Sequence, residues 1–143
     1  MAYSGTADIE LPKSKIEDLN FSFSGIKTAV INLHHKNPNI NKANLCASFE
    51  KATTEMLVEN VRKAVEQTGI KQVVLAGGVS ANSYIRKKFK LFGEEKNIKI
   101  YYPELKLCTD NAAMIASAGY YNYISGKKSC LNLNAVPNLK IGG

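Results

Sequence analysis

Three cysteines among 143 residues, none of them in a Cys-x-x-Cys pair, support neither a disulfide framework nor a zinc ribbon. Cys46, Cys108 and Cys130 are therefore predicted to be reduced, packed thiols. No apolar run approaches the roughly 20 residues that a membrane-crossing helix requires, so no membrane partner is expected. The opening stretch, Met1 to Lys13, lacks the charged-then-apolar order of a secretory signal, and a cytoplasmic location is predicted. Histidine is scarcer than cysteine, with His34 and His35 alone. Neighbours in a helix or strand point to different sides, so this pair is a poor chelate and reads as solvent-exposed. His-Glu-x-x-His, Gly-x-Ser-x-Gly and a P-loop lysine are all missing. Zinc protease, serine hydrolase and P-loop NTPase lose their motif support with them.

What is present is an ordinary globular balance, 45% hydrophobic and 22% charged, in enough chain for one core. Nineteen Lys and Arg against twelve Asp and Glu give a formal charge of +7, which favours polyanionic partners without naming one. The densest basic cluster is Arg86, Lys87, Lys88 and Lys90. At helical spacing these cannot all join Ile85 and Phe89 in a core, so a solvated helix face is the favoured reading over phosphate contact.

Residues 1–20 read as an irregular lead-in and 21–143 as a single α/β domain. Phe21-Ser22-Phe23-Ser24 alternates as a short strand would, and Gly25 opens a helix that ends at Asn37-Pro38-Asn39. Asn41 to Thr68 is a long helix whose Leu45, Phe49, Ala52, Met56, Val61 and Ala64 form a core face, stopped by Gly69. Gln72 to Ala76 reads as a buried strand, Asn82 to Phe92 as a helix, Ile98 to Tyr102 as a second strand closed by Pro103, and Asp110 to Ser125 as a last helix. Strand, helix, strand, helix with right-handed crossovers implies a parallel sheet. The loops Gly77 to Asn82 and Cys108 to Asn111 then share one edge.

The stretch from Gln72 to Phe89 carries the main chemical signal. A strand that runs into Gly77 and Gly78 and then a helix brings bare backbone, free N–H groups and a positive dipole end to one place, which suits a nucleotide. Ser80 or Asn82 can cap that helix or bond a ligand. Many α/β crossovers use glycines only to turn tightly, and that reading stands beside the first. Asp110 opens the last helix, where a carboxylate either caps or serves as a hard oxygen ligand for a metal; its spacing favours the cap.

Three motifs in order, Phe21-Ser22-Phe23-Ser24-Gly25-Ile26-Lys27-Thr28-Ala29-Val30, Val74-Leu75-Ala76-Gly77-Gly78-Val79-Ser80-Ala81-Asn82 and Cys108-Thr109-Asp110-Asn111-Ala112-Ala113-Met114-Ile115, resemble the C-terminal half of the TsaD family. These are the tRNA threonylcarbamoyladenosine transferases, once labelled sialoglycoproteases. Asn134-Ala135-Val136-Pro137-Asn138-Leu139 resembles the tails of bacterial members, and the similarity runs from about Ile9 to the end.

The resemblance implies part of the second lobe of an actin-like ATPase fold, the fold of sugar kinases and heat-shock chaperones, with a short, mostly parallel sheet and flanking helices. It implies transfer of threonylcarbamoyl from threonylcarbamoyl-adenylate to N6 of the tRNA adenosine beside the anticodon. Gly77, Gly78 and Asn82 would lie against the adenylate, and Asp110 would bind an iron or zinc ion; TsaB-type and TsaE-type proteins would be partners. The family's first-lobe His-x-x-x-His pair is missing from this sequence. The chain is therefore expected to be a fragment that is inactive alone and binds no metal by itself. A non-catalytic nucleotide-binding or subunit-interaction module is the alternative, and a metalloprotease is a weaker one.

Overall fold

The computed structural model describes residues 1–13 and 19–137, which fall into two compact units divided after Cys108. Part of the expected lead-in, 14–18, and the end of the tail motif, Asn138-Leu139, lie outside the described residues.

In the first unit, helix α1 spans Ser24–Lys36 and α2 spans Lys42–Thr68. Strand β1, Gln72–Val74, leads to helix α3, Ser83–Lys96, and then to strand β2, Lys99–Tyr101. The strands are parallel, with Val73 opposite Ile100. This is the expected β–α–β order, and among the described residues the sheet has two strands.

Local chemistry sets the ends of α2. Asn41 stays extended and its side-chain oxygen accepts from the N–H groups of Ala43 and Asn44, while Gly69 at φ 71° takes the left-handed conformation that ends a helix. Twenty-seven residues between these stops make a rod about 40 Å long. Its two halves serve different cores. The N-terminal half packs Leu45 and Ala52 with Leu11 and Ile26, flanked by Phe23, Val30, Leu33 and Phe49. The C-terminal half supplies Leu57, Val58, Val61 and Val65 to a cluster around Ile85, Phe89, Phe92 and Ile98. Arg62 strengthens the second contact: its Nη1 donates to Glu95 Oε1 at 3.1 Å, and its guanidinium lies over the Phe92 ring. That hydrogen bond, and then the charge of Arg62, hold the Glu95 carboxyl below its ordinary value.

The first residues are tied to α2 as well. Thr6 N–H donates to Asn44 Oδ1, Ile9 N–H to the buried Ser48 hydroxyl, and Asn44 Nδ2 to Asp8. Gly5 comes so close that a Cβ there would sit 2.1 Å from the Ala43 carbonyl oxygen, a position that only glycine can occupy.

Two elements differ from the sequence reading. Residues 21–24 form no strand: Phe23 already has helical backbone and Ser24 begins α1. The alternation is real, since Phe21 and Phe23 stack with ring centroids 5.9 Å apart, but the chain turns helical at Phe23 before a strand can extend. The first strand is also not buried. Val73 and Ile100 face the second core, while Val74 is 70% and Tyr101 47% exposed on the other face. A sheet covered by α3 on one side shows a period of two where full burial was expected.

The second unit holds α4, Ala112–Ile124, an uncharged helix rich in alanine and tyrosine that ends before Gly126 at φ 79°. The three cysteines are free, as expected, but only Cys108 is buried and Cys130 is exposed. Cys130 lies beyond α4, in a stretch whose described residues, 125–137, are all exposed.

Truncating Phe89, 2% exposed at the centre of the second core, should destabilise the 143-residue chain by about 3–5 kcal/mol. Lys90→Ala, one position along on the solvent side, should change it by less than about 0.5 kcal/mol. Urea unfolding of the two variants checks the pair, and equal effects would contradict this core.

Candidate functional site

Beyond β1 the ladder continues for one bond, from Leu75 N–H to the Tyr101 carbonyl, and then the chain turns. Gly77 adopts φ 85° and ψ 166°, a conformation closed to residues with a side chain. Gly78–Ala81 follow as a single 3-10 turn, closed by Ser80 N–H to the Gly77 carbonyl. Only then does α3 begin. The sequence alone runs the glycines straight into a helix and leaves its cap open between Ser80 and Asn82. Asn82 is the cap: its backbone is extended and its Oδ1 accepts from Ile85 N–H at 2.9 Å. Ser80 sits inside the 3-10 turn, buried, its hydroxyl without a hydrogen-bond partner among the described residues.

A Cβ placed on Gly77 would meet no atom within 4 Å. In this chain glycine is thus required by backbone conformation, and the space over it is open. Beside the turn a groove of about 700 Å³ runs between α1 and α2. Val30, Ile31, Leu45, Phe49 and Val79 make it largely apolar, and Glu50 and Asn82 also line it. An apolar cleft with a few fixed polar groups is the usual form of a small-molecule site. His34 and His35, expected in solvent, line the groove too; His35 is exposed and His34 half-buried.

Nothing in its sequence context singles out Glu50. It projects from the N-terminal half of α2, where its Oε1 accepts from Asn82 Nδ2 at 2.7 Å. Both ends of the Asn82 amide are therefore held, one by the helix start and one by a carboxylate. One N–H and one lone pair remain for a ligand. No local signal reveals the pair, because 32 residues separate its members.

Arg86 departs most from expectation. Read as part of a solvated basic face, it is half-buried and turned inward. Its Nε donates to the Ser80 carbonyl at 2.6 Å, and its Nη2 to the Pro103 carbonyl at 2.9 Å and to Cys108 Sγ at 3.1 Å. The guanidinium carbon lies 4.6 Å from the centre of the Tyr102 ring. Lys87 and Lys90 do behave as surface, Lys90 pairing weakly with Glu94 at 3.9 Å, whereas Lys88 is half-buried with its ammonium 5.5 Å from the centre of the Tyr84 ring. Parallel strands place the loops after β1 and β2 at the same edge, and Arg86 joins those loops as far as Cys108.

In the second unit Asp110 is not the helix cap that its spacing favoured. Asn111 takes that place: it is extended, its Oδ1 accepts from Met114 N–H at 2.9 Å, and its Nδ2 donates to the Thr109 carbonyl. One residue upstream, the Asp110 carboxylate is exposed. Among the described residues no group of three or more His, Cys, Asp or Glu side chains could hold a metal ion.

The described elements make a small α/β domain, a parallel β–α–β unit with a glycine turn at its carboxyl edge. The chain belongs to the TsaD family, tRNA N6-adenosine threonylcarbamoyltransferase, whose model matches residues 1–117. It is 47% identical over 149 aligned residues to the enzyme of that name from Clostridium beijerinckii, covering 99% of this chain and 44% of the relative. With the one from Carboxydothermus hydrogenoformans it shares 49% over 128 residues, covering 90% of the chain and 38% of the relative. The chain thus spans less than half the length of these relatives, and the match reaches ahead of Ile9 to the first residue.

The Glu50–Asn82 contact makes a pH signature. Asn82→Asp keeps a capping oxygen but sets a carboxylate against Glu50, so one acid of the pair must hold its proton in the folded state. Its folded pKa then lies above the unfolded value of about 4, and stability present at low pH is lost as pH rises through the raised value. Relative to the native chain, the variant should be about 1–3 kcal/mol less stable at pH 7 and should recover near pH 4. Adding Glu50→Gln should remove the pH dependence. Thermal melts across pH check this, and a deficit independent of pH would contradict the contact.

Proposed function

We propose that the chain is the C-terminal part of a threonylcarbamoyltransferase, within the second lobe of an actin-like fold, and that the Gly77–Asn82 turn receives the adenylate end of threonylcarbamoyl-adenylate. The carrying observation is the open space over Gly77 beside Asn82, in a chain of this family. In this reading the remaining side-chain N–H of Asn82 and the bare backbone at Gly77 meet an acyl-phosphate that must be held still while it is attacked. Gly77 and Gly78 let the nucleotide approach the main chain. In the reaction, N6 of the tRNA adenosine attacks the carbamoyl carbon and the carbon–oxygen bond to phosphate breaks. AMP leaves with the bonding pair, and the amine loses a proton. The formal charge of +7 fits a polyanionic substrate.

Within this chain the residues do not make up a metal site, because Asp110 is a single donor and, among the described residues, no cluster joins it. Asp110, freed from capping by Asn111, is proposed as one ligand of an iron or zinc ion whose histidine ligands come from sequence that this chain lacks. The reading places the enzyme in the cytoplasm with TsaB-type and TsaE-type partners. A subunit-interaction module is the second reading, favoured by the bare sheet face at Val74 and Tyr101.

Incubated with threonylcarbamoyl-adenylate and unmodified tRNA, the chain alone should yield no modified adenosine; robust product would overturn its description as a partial site. In a full-length enzyme carrying this sequence, Asn82→Ala should weaken adenylate binding by about 1–3 kcal/mol in calorimetry. Unchanged affinity would remove the adenylate assignment. In the same enzyme Asp110→Asn should lower metal content in elemental analysis with little loss of stability, since Asn111 holds the cap. Full metal occupancy would take Asp110 out of the ligand set.

A further inference from the structure

We propose that Arg86 is a positioning residue for the glycine turn, its guanidinium fixing the Ser80 carbonyl against the loop that succeeds β2. The inference deepens the adenylate reading, because the turn it holds is the one assigned to that ligand.

The guanidinium partners are two backbone carbonyls, a thiol and a ring face, with no carboxylate among the described residues. An arginine kept for surface charge would stay in water or meet an acid; a half-buried cation facing neutral acceptors is retained for its geometry. The planar fork presents donors in fixed directions, and here they diverge. Nε points to the turn, and Nη2 to the loop after β2. Tyr102 supports the guanidinium through its ring face, and the Cys108 thiol, itself directed to the Glu104 carbonyl at 3.5 Å, supplies a further acceptor.

Ser80 lies at the centre of the Gly78–Ala81 turn. Fixing its carbonyl therefore fixes the orientation of the neighbouring peptide units. Two residues on, Asn82 is gripped by Glu50. The turn is thus held at two points by side chains from two helices, and Gly77, with open space over it, precedes them and can meet a ligand without reorganisation of the turn. Lysine cannot replace this arrangement, since one ammonium at the end of a flexible stem cannot hold both carbonyls in fixed directions.

The test uses the 143-residue chain, with Cys46 and Cys130 replaced by serine so that Cys108 is the only thiol. Arg86→Lys should raise amide hydrogen exchange at 77–82 by about tenfold, the ratio that loss of a charged hydrogen bond gives. Labelling of Cys108 by an aromatic disulfide reagent should rise in parallel. Amides of α2 between 45 and 56 should stay within about twofold of the parent, which a general loss of stability would not allow. Unchanged exchange at 77–82, or an equal rise throughout, overturns the assignment. If Arg86→Lys does not fold, Cys108→Ala decides: a smaller rise confined to 77–82 supports the assignment, and none overturns it. Calorimetry with threonylcarbamoyl-adenylate on a full-length enzyme carrying this sequence keeps the two readings apart. No binding there with the exchange response intact counts against the adenylate reading and for the Arg86 role; binding with no exchange response does the reverse.

Discussion

One helix has to serve two cores, and the rest of the first unit is arranged around that constraint. The 27 residues of α2 pack α1 and the first residues with one half, and α3 and the sheet with the other. Neither cluster is large, and each depends on the same rod staying straight and capped. Thr54, 1% exposed, lies between the halves with its hydroxyl donated to the Glu50 carbonyl, so even this buried polar group is satisfied within the helix. The glycine turn is tied to the N-terminal half of the rod as well, because Glu50 reaches Asn82.

This placement explains how so short a sheet can present an ordered loop. Two three-residue strands give few ladder bonds to stiffen the loops at their ends. Order in the turn comes instead from side chains: Glu50 on Asn82, the Asn82 cap on α3, and Arg86 on Ser80. Each lies outside the backbone ladder, and the first joins residues 32 apart in sequence. A site built this way can keep its glycines bare for a ligand, because its rigidity is supplied from behind.

Much of the fold could be read from local chemistry. Asn41 and Gly69 bound α2 within a residue, Asn37-Pro38-Asn39 ends α1, and the strands fall close to their predicted ranges. The misses at the site share one cause, the choice among residues that are locally equivalent. Asp110 and Asn111 are both good caps, and the extended backbone at Asn111 selects the second. Ser80 and Asn82 are likewise both good caps, and the intervening 3-10 turn excludes the first. Arg86 among lysines reads as surface until the loop after β2 folds back to receive it.

What the sequence determined by itself is therefore what depends on neighbours a few residues apart: helix and strand positions, the need for glycine at Gly77, and the three motifs that mark the family. Tertiary structure alone decided which polar side chains became locks. Glu50 reaches Asn82 across 32 residues and Arg86 reaches Cys108 across 22, and no periodicity encodes such pairs. Burial decided the rest, since a donor that leaves water must find its acceptor wherever packing places one.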